Sequence, residues 1–228
     1  EHDALLSEKC EILNKYQFTE LHYENEAGTD FRVGLVKNHI WEGGSEESGS
    51  GVRFIANMPT EEVFTMPDYR KAEGKVVSSR PLSYRGNLIK DFSLTFHEGK
   101  VVDFDAREGY DALKQLLDTD EGSKSLGEVA LVPYASPISE MGILFYNTLF
   151  DENASCHLAL GECYPTTVQD GEKMNEEELH QIGGNHSINH VDFMIGTKDM
   201  KITGITEDGK RNSSLYRRQL GTINAEFV

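Results

Sequence analysis

Basic residues are scarce in this chain, cysteines are few, and long apolar runs are missing. Lys and Arg together number 22 against 39 Asp and Glu, a formal charge of −17 over 228 residues. So acidic a chain repels phosphate backbones and anionic lipid head groups, and it carries no basic stripe interleaved with aromatics. Nucleic acid and the membrane surface are therefore excluded as partners. No apolar stretch approaches the ~20 residues needed to cross a bilayer. The three cysteines, Cys10, Cys156 and Cys163, are odd in number and unevenly spaced, a poor disulfide framework. Reduced thiols in a cytoplasm are the simpler expectation. Glu1-His2-Asp3 offers neither the basic nor the apolar region of a secretory signal and no initiator Met, so the chain reads as a processed product or an excised fragment.

Several catalytic signatures are missing as well. There is no H-E-x-x-H, no G-x-S-x-G elbow, and no close Cys or His spacing of the zinc-finger kind. The glycine-rich stretch 43–51 lacks the G-K-[ST] ending of a phosphate-binding loop. It reads as a flexible loop.

What is present is a pattern of short strands. Leu6, Cys10 and Leu13 fall at helical spacing and predict an opening helix. Thr19–Glu24 and Phe31–Val36 read as a hairpin around the turn residues Asn25-Glu26-Ala27-Gly28-Thr29-Asp30. Further strands are expected at Arg53–Asn57, Lys75–Ser79, Ile89–Phe96, Val101–Phe104, Val129–Tyr134, His157–Leu160, His190–Ile195 and Lys201–Thr206, with a hairpin turn at Asp208-Gly209. Asp105-Ala106-Arg107-Glu108 has the form of a capping box opening a helix through Tyr110, Leu113, Leu116 and Leu117, and Asn175–Gln181 reads as a short polar helix. Strands outnumber helices and join through short turns, which predicts an α+β fold with a largely antiparallel sheet.

Candidate chemistry sits in a few places. In a strand, His190 and Asp192 point one way and Val191, Phe193 and Ile195 the other. An imidazole and a carboxylate on an apolar strand are costly to bury unpaired; a metal ion offsets that cost, and a hydrogen-bonded pair on a solvated face is the plain alternative. His157 lies in another apolar strand, where a satisfied core histidine is the alternative. Glu128 enters an apolar strand after Gly127, and Glu61-Glu62 sits between Pro59 and Pro67, either as a held pair of carboxylates or as the acidic first turn of a short helix capped by Thr60. Two imidazoles and at least three carboxylates suit a pair of divalent ions with carboxylate bridging.

The blocks Met58-Pro59-Thr60-Glu61-Glu62-Val63-Phe64-Thr65, Gly127-Glu128-Val129-Ala130, Cys156-His157-Leu158-Ala159-Leu160-Gly161 and Asn189-His190-Val191-Asp192-Phe193-Met194-Ile195-Gly196 resemble, in this order, the M29 family of metallo-aminopeptidases. The resemblance extends over essentially the whole chain and implies one catalytic domain, 1–228, without the N-terminal domain of the family. It implies metal ligands at Glu62, Glu128, His157, His190 and Asp192, an active-site tyrosine at Tyr164, and Glu61 as a proton carrier if it is not a ligand. It further implies two divalent ions (Zn, Co or Mn), peptide substrates with a free N-terminus, and a homodimer, onto which the tail Asn224-Ala225-Glu226-Phe227-Val228 could dock. Another two-metal hydrolase, acting on phosphate esters, and a non-catalytic dimerisation fragment are the competing expectations.

Overall fold

The computed structural model describes residues 1–212. The expectation for the tail at Asn224–Val228 lies outside them. Helix α1 (His2–Tyr16) buries Leu6, Cys10 and Leu13, the face its spacing predicted, and ends at Gln17 in the left-handed region. Strands β1 (Glu20–Glu24) and β2 (Asp30–Leu35) form the first hairpin. The loop that follows holds a small ribbon, β3 (Glu46–Glu47) with β4 (Arg53–Phe54), shorter than the expected strand through Asn57. Then come β5 (Val63–Thr65), β6 (Pro67–Val77), β7 (Leu82–Tyr84), β8 (Asn87–His97), β9 (Lys100–Glu108) and helix α2 (Tyr110–Leu117). The second half contributes β10 (Leu126–Leu131), two single-turn helices α3 (Pro137–Glu140) and α4 (Thr148–Asp151), β11 (His157–Gly161), helix α5 (Glu176–Ile182), β12 (His190–Met194), β13 (Lys201–Ile205) and β14 (Arg211–Asn212).

The strands make two main sheets, and each ladder is antiparallel. One has eight strands in the order β14-β13-β1-β2-β6-β8-β7, with β9 also on β8. The other has four, β12-β11-β10-β5. One apolar cluster runs through both, from Leu21, Tyr23 and Phe31 of the large sheet to Val129, Leu158 and Phe193 of the small one. This is the α+β, mostly antiparallel architecture that the strand pattern predicts.

One local expectation is overturned. Asp105–Glu108 does not cap α2; it stays in β9, where pairing with β8 continues to Glu108 opposite Lys90. Gly109, at φ 78°, breaks the strand and starts the helix one residue later. A side chain there would meet the Leu88 carbonyl at 2.7 Å. Ladder hydrogen bonds won over a capping pattern that is only locally sufficient. The box at α5 did form. The Asn175 side chain accepts from the Glu178 N–H, the Glu178 carboxylate accepts from the Asn175 N–H, and Gly183 closes the C-terminus at φ 114°.

Candidate metal centre

The small sheet is buried on both faces, unlike most antiparallel sheets. Its first face joins the core through Val129, Leu158, Val191 and Phe193. Its second face carries the polar residues. Register explains how they meet. Ala159 in the middle strand pairs with Glu128 on one side and with Asp192 on the other, so both carboxylates stand on the face of the Ala159 methyl. The methyl is small and leaves space above it. His157 lies two residues back on the same face, and His190 two residues before Asp192.

A bulge aims Glu128. The β10–β11 register shifts between Leu126 and Glu128, with Gly127 at the extra position. A Cβ on Gly127 would lie 2.0 Å from the Glu162 carbonyl oxygen. Only glycine lets the two chains close this tightly, and the bulge then turns Glu128 inward. Glu62 arrives from the stretch just before β5. Its neighbours Glu61 and Thr60 form no helix, so the alternative of an acidic first turn is excluded by β5 itself.

The distances describe a tight cluster. His157 Nε2 lies 2.9 Å from Glu62 Oε2, 3.5 Å from Glu128 Oε1 and 4.0 Å from Asp192 Oδ1. His190 Nε2 lies 3.4 Å from Asp192 Oδ1 and 3.7 Å from Glu128 Oε2. Donor atoms of Glu62, Glu128 and His157 form one group that could hold an ion, and those of Glu128, His190 and Asp192 form another. Glu128 belongs to both, one oxygen toward each histidine.

Both imidazoles are oriented from behind. Nδ1 of His157 lies 3.2 Å from the Ser155 carbonyl, and Nδ1 of His190 lies 2.8 Å from the Glu162 carbonyl. A carbonyl only accepts, so each Nδ1 carries the proton and donates it. In the neutral ring, Nε2 is then a free lone pair facing the carboxylates. Glu62 Oε2 and His157 Nε2 are buried with no hydrogen-bond partner of acceptable geometry. Leaving such atoms unsatisfied costs about 1–3 kcal/mol each. A divalent ion would satisfy both, and a set of imidazole nitrogens with carboxylate oxygens suits Zn, Co or Mn.

Electrostatics follow from this crowding. Burial, reinforced by Asp192 and Glu62, pushes Glu128 up to about 7 despite the nearby His157 imidazole. For the histidines burial works downward but is outweighed. Asp192 and Glu128 hold His190 up at about 9, and Glu128 with Glu62 holds His157 well above the usual imidazole range. Asp192 is lowered, because its two histidine neighbours outweigh burial.

Two findings modify the expected residue set. Glu61 is not brought into the cluster. Its carboxylate faces His2 of α1 at 3.6 Å, and its N–H donates to Asn153 Oδ1 at 2.7 Å. Glu152, which the sequence did not single out, is in the site. It lines the same cavity, and its carboxyl is pushed up to about 9 by burial and then by Asp192 and Glu62. It lies in a short 3-10 turn after α4 rather than on an apolar strand, so no alternation marks it. Its nearest sequence signal is the Asp151-Glu152-Asn153 run, which by itself reads as solvated loop. Tyr164 is half-exposed at the cavity wall, edge-on to Phe64 with ring centroids 6.1 Å apart and 4.7 Å from the His190 ring. Burial, then Glu128 and Asp192, raises its hydroxyl pKa above the usual phenol value. Cys156 faces the core and hydrogen-bonds Val132, so it is no ligand.

The family model described as thermophilic metalloprotease (M29) matches residues 1–218. Aminopeptidase AmpS of Bacillus subtilis is 56% identical over 210 residues, which are 92% of this chain and 51% of that protein. The solved structure of wild-type AmpT from Thermus thermophilus superposes with a TM-score of 0.89 at 42% identity, covering 97% of this chain and 54% of the other. The chain thus spans about half the length of the relatives it matches. A dihydroxypyridine dioxygenase from Pseudomonas putida, 17% identical with a TM-score of 0.58, shares the fold alone.

Proposed function

Given that this chain belongs to the thermophilic metalloprotease (M29) family, we propose that it is the catalytic part, one domain over 1–228, of a metal-dependent aminopeptidase. It would remove N-terminal residues from peptides at a dinuclear centre. The observation that carries the reading is the shared Glu128, with one oxygen toward each of two imidazoles that are fixed through Nδ1. Glu62 and His157 would hold one ion, His190 and Asp192 the other, and Glu128 would offer a carboxylate oxygen to each.

Two divalent ions held there would supply Lewis-acid chemistry, polarising a carbonyl and lowering the pKa of water so that hydroxide forms near neutral pH. The protein supplies the rest. The Ser155 and Glu162 carbonyls keep both imidazoles in one tautomer and one orientation. The Tyr164 hydroxyl, with its pKa raised, stays protonated and can donate to the oxyanion that develops on the substrate carbonyl. Glu152 adds a carboxyl beside Asp192, available to the substrate's α-ammonium group or to an ion. With Glu61 turned to α1, it also takes over as the nearest candidate to move a proton. A phosphate ester would meet an unfavourable wall, since Glu42 and Glu46 line the cavity as well.

The chain's placement in a cytoplasm and its pairing as a homodimer belong to the same proposal. Among the described residues no helix is long and apolar enough to cross a membrane. The test is metal analysis with turnover. The purified chain, reloaded with Zn, Co or Mn, should bind about two ions and release free amino acid from Leu-Ala-Ala-Ala but not from its N-acetyl form. Release from both forms would reject the exopeptidase reading, and a chain that binds ions but cleaves neither would be the non-catalytic fragment.

A further inference from the structure

Glu62 reaches the metal-binding cluster without a secondary-structure element of its own. Residues 55–62 lie in no helix or strand, and the pairing of β5 with β10 begins one residue later, at Val63 opposite Leu131. Yet Glu62 has to be held closely, since its Oε2 stands 2.9 Å from His157 Nε2 in a buried space. A metal-binding side chain carried on a loop needs support from elsewhere in the fold.

That support comes from the 3-10 turn after α4. The Asn153 side-chain oxygen accepts a hydrogen bond from the Glu61 N–H at 2.7 Å, one residue from Glu62. Asn153 Nδ2 donates to the Leu149 carbonyl of α4 at 3.0 Å. The Ser136 hydroxyl donates to the Asn153 backbone carbonyl at 2.8 Å and seats the residue from behind. Asn153 is fully buried. One carboxamide thus joins two stretches of the cavity wall, that of Thr60 and Glu62 and that of Thr148 and Leu149. The preceding residue adds a second tie, because Asn57 Nδ2 donates to Glu152 Oε1 at 3.2 Å.

The two partners dictate the residue type. The Glu61 N–H requires an acceptor and the Leu149 carbonyl requires a donor, and asparagine supplies both at a fixed spacing. Aspartate keeps the acceptor and loses the donor; alanine loses both. In a buried place each lost partner leaves a polar group unsatisfied. An asparagine that served the fold alone would support all parts of the site alike. Asn153 instead hydrogen-bonds the segment of Glu62, whereas His190 and Asp192 are placed by the pairing of β12 with β11. Resting on the two-ion reading of the site, we propose that Asn153 is a positioning residue that sets Glu62 against His157. Its loss weakens the ion at Glu62 and His157 more than the ion at His190 and Asp192.

Two measurements test this. The first needs no variant and no metal, so it holds whether or not a substitution folds. Amide hydrogen exchange of the metal-free chain, followed by NMR, should find the Glu61 N–H at least about tenfold slower than those of Asn57, Met58 and Thr60. Exchange as fast as theirs would overturn the proposal. The second is a zinc titration read at the imidazole nitrogens of His157 and His190. In Asn153→Ala, His157 should need about 10–100-fold more zinc than in the unaltered chain, and His190 less than about threefold more. Asn153→Asp, which keeps the acceptor for the Glu61 N–H, should bring His157 back to within about threefold without tightening zinc at His190. Equal weakening at both histidines in Asn153→Ala, no weakening at either, or an Asp variant that restores nothing or tightens both would overturn it. A slow Glu61 amide in an unaltered chain whose histidines ignore zinc would reject the two-ion reading, and the proposal with it, while the tie from Asn153 to the Glu62 segment stood.

Discussion

The two sheets of this molecule handle charge in opposite ways. On the large sheet, β1 alternates between buried and half-exposed residues, and the charges on its open face are matched by sign. Arg32 pairs with Glu20 at 2.8 Å, Lys201 with Glu24 at 3.0 Å and His22 with Asp30 at 2.7 Å. On the small sheet β11 is buried throughout, and the polar residues of that face are mostly of one sign: Glu62, Glu128 and Asp192 around two histidines. Alternating sign on a wet face is what solubility and strand register require. Like charges converging where water is excluded lower the stability of the empty protein. They persist in a fold when a positive ligand makes them useful.

The largest expected effect breaks the comparison outright. His190→Ala or Asp192→Ala should remove bound metal and peptide hydrolysis together. His22→Ala, an imidazole with comparable carboxylate partners on the large sheet, should leave metal content intact and shift stability by no more than about 0.5 kcal/mol. Plasma mass spectrometry for metal and denaturant melts for stability would check both. Full metal occupancy in His190→Ala would remove it from the coordination shell.

Tyr164 sharpens the comparison from within the site. Tyr164→Phe keeps the ring against Phe64 and removes only the hydroxyl. Metal content and folding should hold, while kcat falls by on the order of 10²–10³ with KM little changed. A near-normal kcat with both ions bound would leave the tyrosine as packing; lost metal would make it part of the coordination.

The bulge ranks next. Gly127→Ala sets a methyl against the Glu162 carbonyl and should cost about 1–3 kcal/mol while weakening metal binding by about 10–100-fold, as displaced supporting residues do. Gly86→Ala, in the β7–β8 turn at φ 78° with open space around it, should also cost about 1–2 kcal/mol and leave metal affinity alone. If both variants keep normal metal affinity, the bulge does not aim Glu128.

These contrasts show what could be read before the fold was known. The 190–195 stretch was legible because strand period two separates His190 and Asp192 from Val191, Phe193 and Ile195, and those three apolar residues do lie in the core. Glu128 carried little weight as a carboxylate entering an apolar strand and was singled out by the family resemblance; the bulge that turns it inward was not legible. Glu61 and Glu62 were not separable, because the choice between them rests on Glu61 being drawn to His2, nearly sixty positions away. Glu152 was invisible because a 3-10 turn has no two-residue rhythm to betray a buried carboxylate. The strand β5 was missed because three residues are too few to show a period. Local patterns carried those elements that local forces decide, and long-range contacts decided the rest.

The smallest effect is a slope, and it needs the signs in full. In the metal-free chain His190 keeps its proton up to about 9, against an ordinary value of 6.5. A group raised by folding stabilises fully below its unfolded value and loses that contribution as pH rises through the folded one. His190 therefore stabilises the metal-free chain below pH 6.5 and ceases to do so by about 9. Glu128 acts in the same direction over a lower window, since its ordinary value of 4.5 is raised to about 7 and its ionisation within the fold is costly. The metal-free chain should thus become less stable from about pH 4.5 to about 9. An ion needs the neutral Nε2, so binding expels the proton, and apparent affinity should rise about tenfold per pH unit for each proton displaced. The pH above which this dependence levels off, near ~6.5 for ordinary histidines, is moved upward by the carboxylates around them. Zinc titrations in buffers of differing ionisation enthalpy, from pH 6.5 to 9, would measure the released protons directly. In His22→Ala the slope should be unchanged, because the large sheet takes no part. A Zn affinity flat across that range in the unaltered chain would mean that the histidines are not ligands, and the difference between the two sheets would then be one of packing alone.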